Sequence, residues 1–187
     1  HYIENEESAM LMTSCLRIIL TRSFKPFLFE RKSVDSLGFD NLKNLGLYVH
    51  IPFCRSMCSF CPYIKEKYDP RKARLYKEAL LAEIDLVCKG LTSRKTVSSL
   101  YFGGGTPALM AEQMGDIIHK LNDHFVIREG VGLELHPDDI TPEILEKIKT
   151  AGVTMVSLGT QSFNQACLDK IGRKGDNLQE KIKLVTA

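Results

Sequence analysis

Long apolar runs are missing from this 187-residue chain. No stretch approaches the ~20 apolar residues that a bilayer-spanning helix needs, so the sequence predicts no membrane partner. The most apolar N-terminal stretch, Cys15–Leu20, is broken by Arg17 and followed by Arg22. It fits an amphipathic helix better than a signal peptide. A surplus of one charge is missing too. Lysine and arginine number 25 against 23 aspartates and glutamates, a formal net charge of +2. That balance predicts neither a nucleic-acid-coating protein nor one held to an anionic surface. Cysteine is scarce, since six residues are too few for a disulfide scaffold in a chain of this length. The expected compartment is therefore the reducing cytoplasm, where clustered thiols read as metal or catalytic ligands. At 44% hydrophobic and 26% charged residues, the chain can close an ordinary core without staples.

Within that composition the order of elements is regular. Residues 1–45 read as a mostly helical extension with a polar connection over 30–40, and residues 46–187 as the core domain. From Gly46 a strand (46–51) leads to a helix (71–89), in which Leu75, Ala79, Ala82 and Leu86 share one face beside Tyr76, Leu80 and Val87. A second strand (97–102) ends in Gly103-Gly104-Gly105. A helix follows (109–125) with Met114, Ile117, Ile118 and Leu121 turned inward. A third strand (131–136) precedes a helix (141–151) with Thr141 as N-cap, Pro142 at its first position and Gly152 after its last turn. Ile140 and Leu145 have the spacing of a hydrophobic staple. A fourth strand (153–158) and a short helix (165–171) follow, and Asp176 could cap another. This alternation predicts an α/β fold built of right-handed βαβ units around a parallel sheet. Chemistry in such folds gathers at the C-terminal ends of the strands.

The residue types at those ends are not ordinary. Cys54, Cys58 and Cys61 form C-x3-C-x2-C just after the first strand. Soft thiolates in such a cluster select zinc or an iron–sulfur cluster. Three readings compete. The cysteines could be buried small hydrophobes among Phe53, Met57 and Phe60. They could hold zinc with His50 as a fourth ligand, although His50 lies on the strand and no second cysteine pair follows. They could hold a cluster that leaves one iron open to a ligand. The second strand ends in Gly103-Gly104-Gly105-Thr106-Pro107, whose backbone can approach a ligand closely. The same residues satisfy G-x-G-x-x-A over 103–108, a weak dinucleotide fingerprint. Glu134 closes the third strand, in Glu134-Leu135-His136-Pro137, and could serve ribose hydroxyls or an ammonium or simply be solvated. Gln161 follows the fourth strand, and Arg173 follows the short helix in Ile171-Gly172-Arg173.

Leu47-Tyr48-Val49-His50-Ile51-Pro52-Phe53-Cys54, with this cysteine spacing, resembles radical S-adenosylmethionine (SAM) enzymes. It is most similar to the subgroup of oxygen-independent coproporphyrinogen III dehydrogenases, heme chaperones and class C radical SAM methyltransferases. The resemblance covers about residues 46–174. It implies a partial parallel (β/α) barrel of six units, of which about four are present, so that the chain reads as a piece of a larger enzyme. It also implies a 4Fe-4S cluster on Cys54, Cys58 and Cys61, with S-adenosyl-L-methionine on the fourth iron. Phe60 would cover the cluster and the adenine, and Tyr48 would approach the carboxylate side of SAM. Gly104, Gly105 and Thr106, in the Gly-Gly-Gly-Thr-Pro form of the family's motif, would grip the SAM amino group. Glu134 and Gln161 would serve the ribose and amino groups, and Arg173 the carboxylate. The implied reaction is reductive cleavage of SAM to a 5′-deoxyadenosyl radical. It would act on a porphyrin-like or other small organic substrate by oxidative decarboxylation or methyl transfer, with flavodoxin or ferredoxin as electron donor. No catalytic residue beyond these binding groups is assigned. The implied alternative is heme delivery on the same scaffold.

Several positions depart from that pattern. Pro62-Tyr63 stands where coproporphyrinogen dehydrogenases carry a further cysteine and heme chaperones carry Asp-Phe, and His136 stands where Asn or Asp is usual. Lys65, Lys67 and Tyr68 could shape access to the site, with a solvated loop as the stronger reading. Cys88 and Cys167 read as core residues, and Cys15 has no partner by spacing.

Overall fold

Strands and helices alternate through the computed structural model, which describes residues 16, 42, 45–173 and 177–186. The chain divides into two compact units, His1–Asp35 and Ser36–Ala187, and the elements below belong to the second. In chain order they are β1 (Leu47–Ile51), β2 (Phe53–Cys54), β3 (Glu66–Lys67), α1 (Pro70–Cys88), β4 (Lys95–Val97) and β5 (Leu100–Gly104). A 3-10 turn (Pro107–Met110) leads into α2 (Ala111–His124), followed by β6 (Phe125–Ile127) and β7 (Val131–Leu135). A second 3-10 turn (Pro137–Asp139) precedes α3 (Pro142–Thr150), β8 (Met155–Leu158), α4 (Gln165–Lys170) and α5 (Leu178–Thr186). The helical extension expected over residues 1–45 and the cap expected at Asp176 lie outside the described residues. Among the described residues no helix is long and apolar enough to cross a membrane.

The main sheet is four-stranded and parallel throughout, in the order β1-β5-β7-β8. Each strand lies beside its predecessor, with no reversal of order. A doubly wound dinucleotide-binding sheet reverses direction at its crevice, whereas winding onward in one direction builds a (β/α) barrel. The sheet is thus a partial barrel wall, and the G-x-G-x-x-A match over 103–108 has no dinucleotide-type sheet around it. One face carries Val49 and Ile51, Leu100 and Phe102, and Leu133 and Leu135 into the core. Met114, Ile117, Ile118 and Leu121 of α2 are buried in that same core, as the sequence predicts. The other face aligns Tyr48, Tyr101, Gly132 and Met155 in one row and Glu134 with Ser157 in the next.

Local signals explain the element ends. The Asp69 carboxylate accepts from the backbone N–H of Arg71 at 2.8 Å and of Lys72 at 3.2 Å, capping α1 at Pro70. The Thr141 hydroxyl does the same for Ile144 N–H at 3.2 Å. The strand expected over 97–102 is instead two. At Ser98–Ser99 the backbone changes partners: β4 pairs with β6, while β5 pairs with β1 and β7. Ser98 N–H donates to Leu45 C=O at 2.8 Å and Ser98 C=O accepts from Glu129 N–H at 2.7 Å, filling the gap.

The apolar face expected on the first helix is out of phase. Leu75 and Leu86 are 65% and 72% exposed, and Ala79 and Ala82 face solvent with them. The core side of α1 carries Ala73, Ile84 and Cys88, flanked by Tyr76, Leu80 and Val87. The helix has two apolar stripes, and the neighbouring α2 covers only one of them. Cys88 is in the core as expected, whereas Cys167 on the short α4 is exposed. Accordingly, Ile84→Ala should cost about 2–5 kcal/mol in urea unfolding, and Leu86→Ala should stay within about 0.5 kcal/mol. The reverse order would restore the original phase.

Candidate functional site

At the C-terminal rim of the sheet a cavity of about 450 Å³ opens, within the range of roughly 300–1,000 Å³ that takes a drug-sized ligand. Its wall gathers Cys54, Phe60 and Cys61 with Cys58, Gly104, Gly105, Thr106, Glu134, Gln161 and Arg173. These are the residues singled out by sequence, with one exception. Tyr48 stands one level below the rim, its hydroxyl 3.3 Å from His50 Nδ1 and its ring stacked on Tyr101 at 6.4 Å. It does not line the cavity, although Glu134 is close enough to help raise its pKa after burial has done so.

The cysteine loop is closed at its base by a two-residue parallel ladder, Phe53 opposite Glu66 and Cys54 opposite Lys67. Tyr68 N–H donates to Cys54 C=O at 2.9 Å, and the ring of Tyr68 meets Phe53 edge-on. Lys65 reaches into the loop and donates to Cys58 C=O at 2.6 Å and Cys61 C=O at 2.7 Å. Lys65 and Tyr68 are therefore not the solvated loop residues that the sequence suggested; both are half-buried. No local pattern shows this, because the carbonyls Lys65 satisfies become convergent only once the loop has closed.

The glycine turn abuts the loop directly. Gly105 N–H donates to Ile51 C=O and Thr106 N–H to Phe53 C=O, each at 2.7 Å. A Cβ on Gly105 would stand 2.5 Å from Phe53 O and 2.8 Å from Cys54 Sγ, so only glycine allows this approach. Thr106 is buried and its hydroxyl hydrogen-bonds the Cys54 sulfur. Burial pushes the Cys54 thiol pKa up, and Thr106 and Lys65 offset only part of that. Glu134 accepts from Gly104 N–H at 3.1 Å, joining β7 to the glycine turn.

The far wall is set by turns. Gln161 holds φ +62°, a left-handed conformation uncommon for a side-chain-bearing residue. Gly172, at φ +68°, ends α4 in a motif where Gly172 N–H bonds Asp169 C=O and Arg173 N–H bonds Leu168 C=O. That turn sends Arg173 back to the cavity. Its guanidinium lies 5.7 Å from the centre of the Phe60 ring and donates to Gly159 C=O at 3.4 Å, while Nε is buried without a partner. His136 Nδ1 accepts from Asp138 N–H at 3.1 Å, the capping job an Asn or Asp does elsewhere. Burial, then the charge of Arg173, lowers the His136 pKa, in keeping with an unprotonated acceptor nitrogen.

The donor set fits an iron–sulfur cluster and a ligand with a carboxylate. Three free thiols share one wall. Among the described residues, however, no three His, Cys, Asp or Glu side chains are gathered closely enough to chelate a single ion. His50 is also a poor fourth ligand, since Nδ1 faces Tyr48 and Nε2 lies 3.3 Å from Ile64 C=O. The unpartnered Arg173 Nε offers a planar fork to a carboxylate.

Comparison with known families matches residues 48–187 to the Radical SAM superfamily. The chain belongs to that superfamily. Within it, the chain is 35% identical over 134 residues to the oxygen-independent coproporphyrinogen III oxidase of Paracoccus denitrificans, covering 70% of this chain and 30% of that protein. It is also 35% identical over 141 residues to the heme chaperone HemW of Mycobacterium tuberculosis, covering 70% and 35%. The solved coproporphyrinogen III oxidase HemN of Escherichia coli, described as a radical SAM enzyme, superposes with a TM-score of 0.65 at 31% identity. That match covers 75% of this chain and 32% of HemN. The chain thus spans about a third of the length of the curated relatives it matches.

Two residues on the cavity wall, Arg55 and Asp139, had no signal in the sequence because they are 84 positions apart. The raised Cys54 pKa sets the pH dependence of that thiol's reactivity. In the metal-free protein Cys54 should be alkylated by iodoacetamide slowly near neutral pH and faster as pH rises toward its raised pKa. Peptide mass spectrometry checks this, and a Cys54 rate already maximal at pH 7 would contradict it.

Proposed function

We propose that this chain holds a 4Fe-4S cluster on Cys54, Cys58 and Cys61 and binds S-adenosyl-L-methionine beside it for reductive cleavage. The observation that carries this is the convergence on one cavity of nine motif residues from four successive strand ends and of Arg173 from the turn after α4. Cys54, Cys58 and Cys61 would hold the cluster, which would supply the single electron for reductive cleavage of SAM to methionine and a 5′-deoxyadenosyl radical. The chain's own part is to bind and orient. Lys65 holds the ligand loop closed through the Cys58 and Cys61 carbonyls. Glu134, at the strand end beside the glycine turn, accepts from the ligand's ribose hydroxyls or ammonium. Gln161 serves the ribose from its strained turn, and Arg173 takes the carboxylate with the nitrogen that has no partner here. Phe60, under the Arg173 guanidinium, covers the adenine side. The substrate class is a porphyrin-like or other small organic molecule, transformed by oxidative decarboxylation or methyl transfer. The electron donor is a flavodoxin- or ferredoxin-type protein.

A second reading, heme delivery on the same scaffold, is supported by a relative named as a heme chaperone, which is as similar, at 35% identity, as the oxidase is. Tyr63, on the cavity wall, matches neither group's residue at that position. Stoichiometric heme uptake with negligible 5′-deoxyadenosine would select that reading.

Anaerobic reconstitution should give a brown protein with about four irons and four sulfides per chain. Addition of SAM and a strong reductant should release 5′-deoxyadenosine. Cys58→Ala should lose the iron and the colour, whereas Cys88→Ala, in the core, should keep both. A colourless wild-type protein holding one zinc would sink the proposal.

A further inference from the structure

Asp139 is 2% exposed, the one charged side chain that is buried among the described residues. A buried carboxylate is costly unless it is paired. Its partner is Arg55, whose Nε donates to Asp139 Oδ1 at 2.6 Å from a side chain that is itself 59% exposed. Arg55 stands between Cys54 and Cys58, and Asp139 ends the 3-10 turn after β7. Both line the cavity. The acid's position is well determined: its N–H donates to His136 C=O at 2.9 Å, and His136 caps the same turn through Asp138 N–H.

The other ties of the cysteine loop run elsewhere. Tyr68 and the β2–β3 ladder hold its base. Lys65 closes it from within, and His50 Nε2 lies near Ile64 C=O at its end. Arg173 faces Phe60 across the cavity as a ring contact. The Arg55–Asp139 pair is, among the described residues, the hydrogen bond that joins the cysteine loop to the opposite wall.

We propose that Arg55–Asp139 is a latch: it holds the cysteine loop against the β7 side of the cavity, positions the Cys54 and Cys58 thiols and slows loss of the bound cluster. Both are positioning residues, and Asp139 acts through Arg55. This rests on the cluster reading above. Outer partners that orient metal ligands typically matter by 10- to 100-fold in metal affinity.

The test uses Arg55→Gln, which removes the charge at the exposed end and keeps an amide N–H donor on that side chain, with Asp139→Asn and the double variant. Two rates are read: iron release from the reconstituted protein to an excess of bathophenanthroline disulfonate, and alkylation of Cys54 and Cys58 in the metal-free protein. Circular dichroism monitors the fold. Arg55→Gln should release iron about tenfold faster than wild type and alkylate faster at Cys58 with an unchanged fold. The double variant should be no faster than the faster single variant, because both remove one shared interaction. Unchanged rates in Arg55→Gln, or single effects that multiply in the double variant, overturn the latch. Should Asp139→Asn fail to fold, Arg55→Gln alone decides. Should the wild-type protein take up no cluster, the proposed function fails, and the metal-free alkylation rates still decide the latch.

Discussion

The site depends on how closely the end of one strand approaches the loop that leaves its neighbour. Gly105 and Thr106 donate their N–H groups to Ile51 and Phe53 at 2.7 Å. There is no room for a side chain between Gly105 and Cys54. From this backbone contact the rest follows. It sets Cys54 at the cavity wall and brings the Thr106 hydroxyl to its sulfur. It also places Gly104 N–H where Glu134 can receive it. A parallel sheet makes such a contact available because neighbouring strands end at the same rim. Glycine makes it close enough to matter.

Around that contact the charges are arranged unevenly. A formal net charge of +2 over 187 residues suggests no field at all. On the cavity wall, however, the acids already have partners: Asp139 has Arg55, Asp138 has Lys181, and Glu134 has a backbone N–H. Lys65 and Arg173 donate only to carbonyl oxygens. Their positive charge is therefore left for the cysteine thiolates and for a ligand carboxylate. The loop is held by contacts of different reach: backbone pairing at its base, Lys65 inside it and Arg55 across the cavity.

How much of this was legible in the sequence differs by element. The third helix could be read residue by residue, since Thr141, Pro142 and Gly152 act through local backbone geometry. The inward face of α2 was legible because it has one apolar stripe. The first helix has two, and its phase was misread because periodicity does not say which stripe a neighbour will cover. The second strand was read as continuous because nothing local announces that its backbone changes partners at Ser98–Ser99. Cys167 was expected in the core from residue type, yet its six-residue helix leaves it at the surface. Tyr48, expected by resemblance to approach the carboxylate side of SAM, stands beside His50 and Tyr101 and outside the cavity lining.

The sequence by itself determined the strand–helix alternation, the caps, the thiol spacing and the order of polar residues along four successive strand ends. These are short-range properties, carried by period, turn chemistry and neighbours a few residues apart. Only the tertiary structure decided which apolar stripe faces the core, that Lys65 closes the ligand loop, and that Arg55 meets Asp139 84 positions away. Those depend on contacts between segments distant in sequence. Whether a charge is buried, paired or free is a property of the folded surroundings and not of the residue.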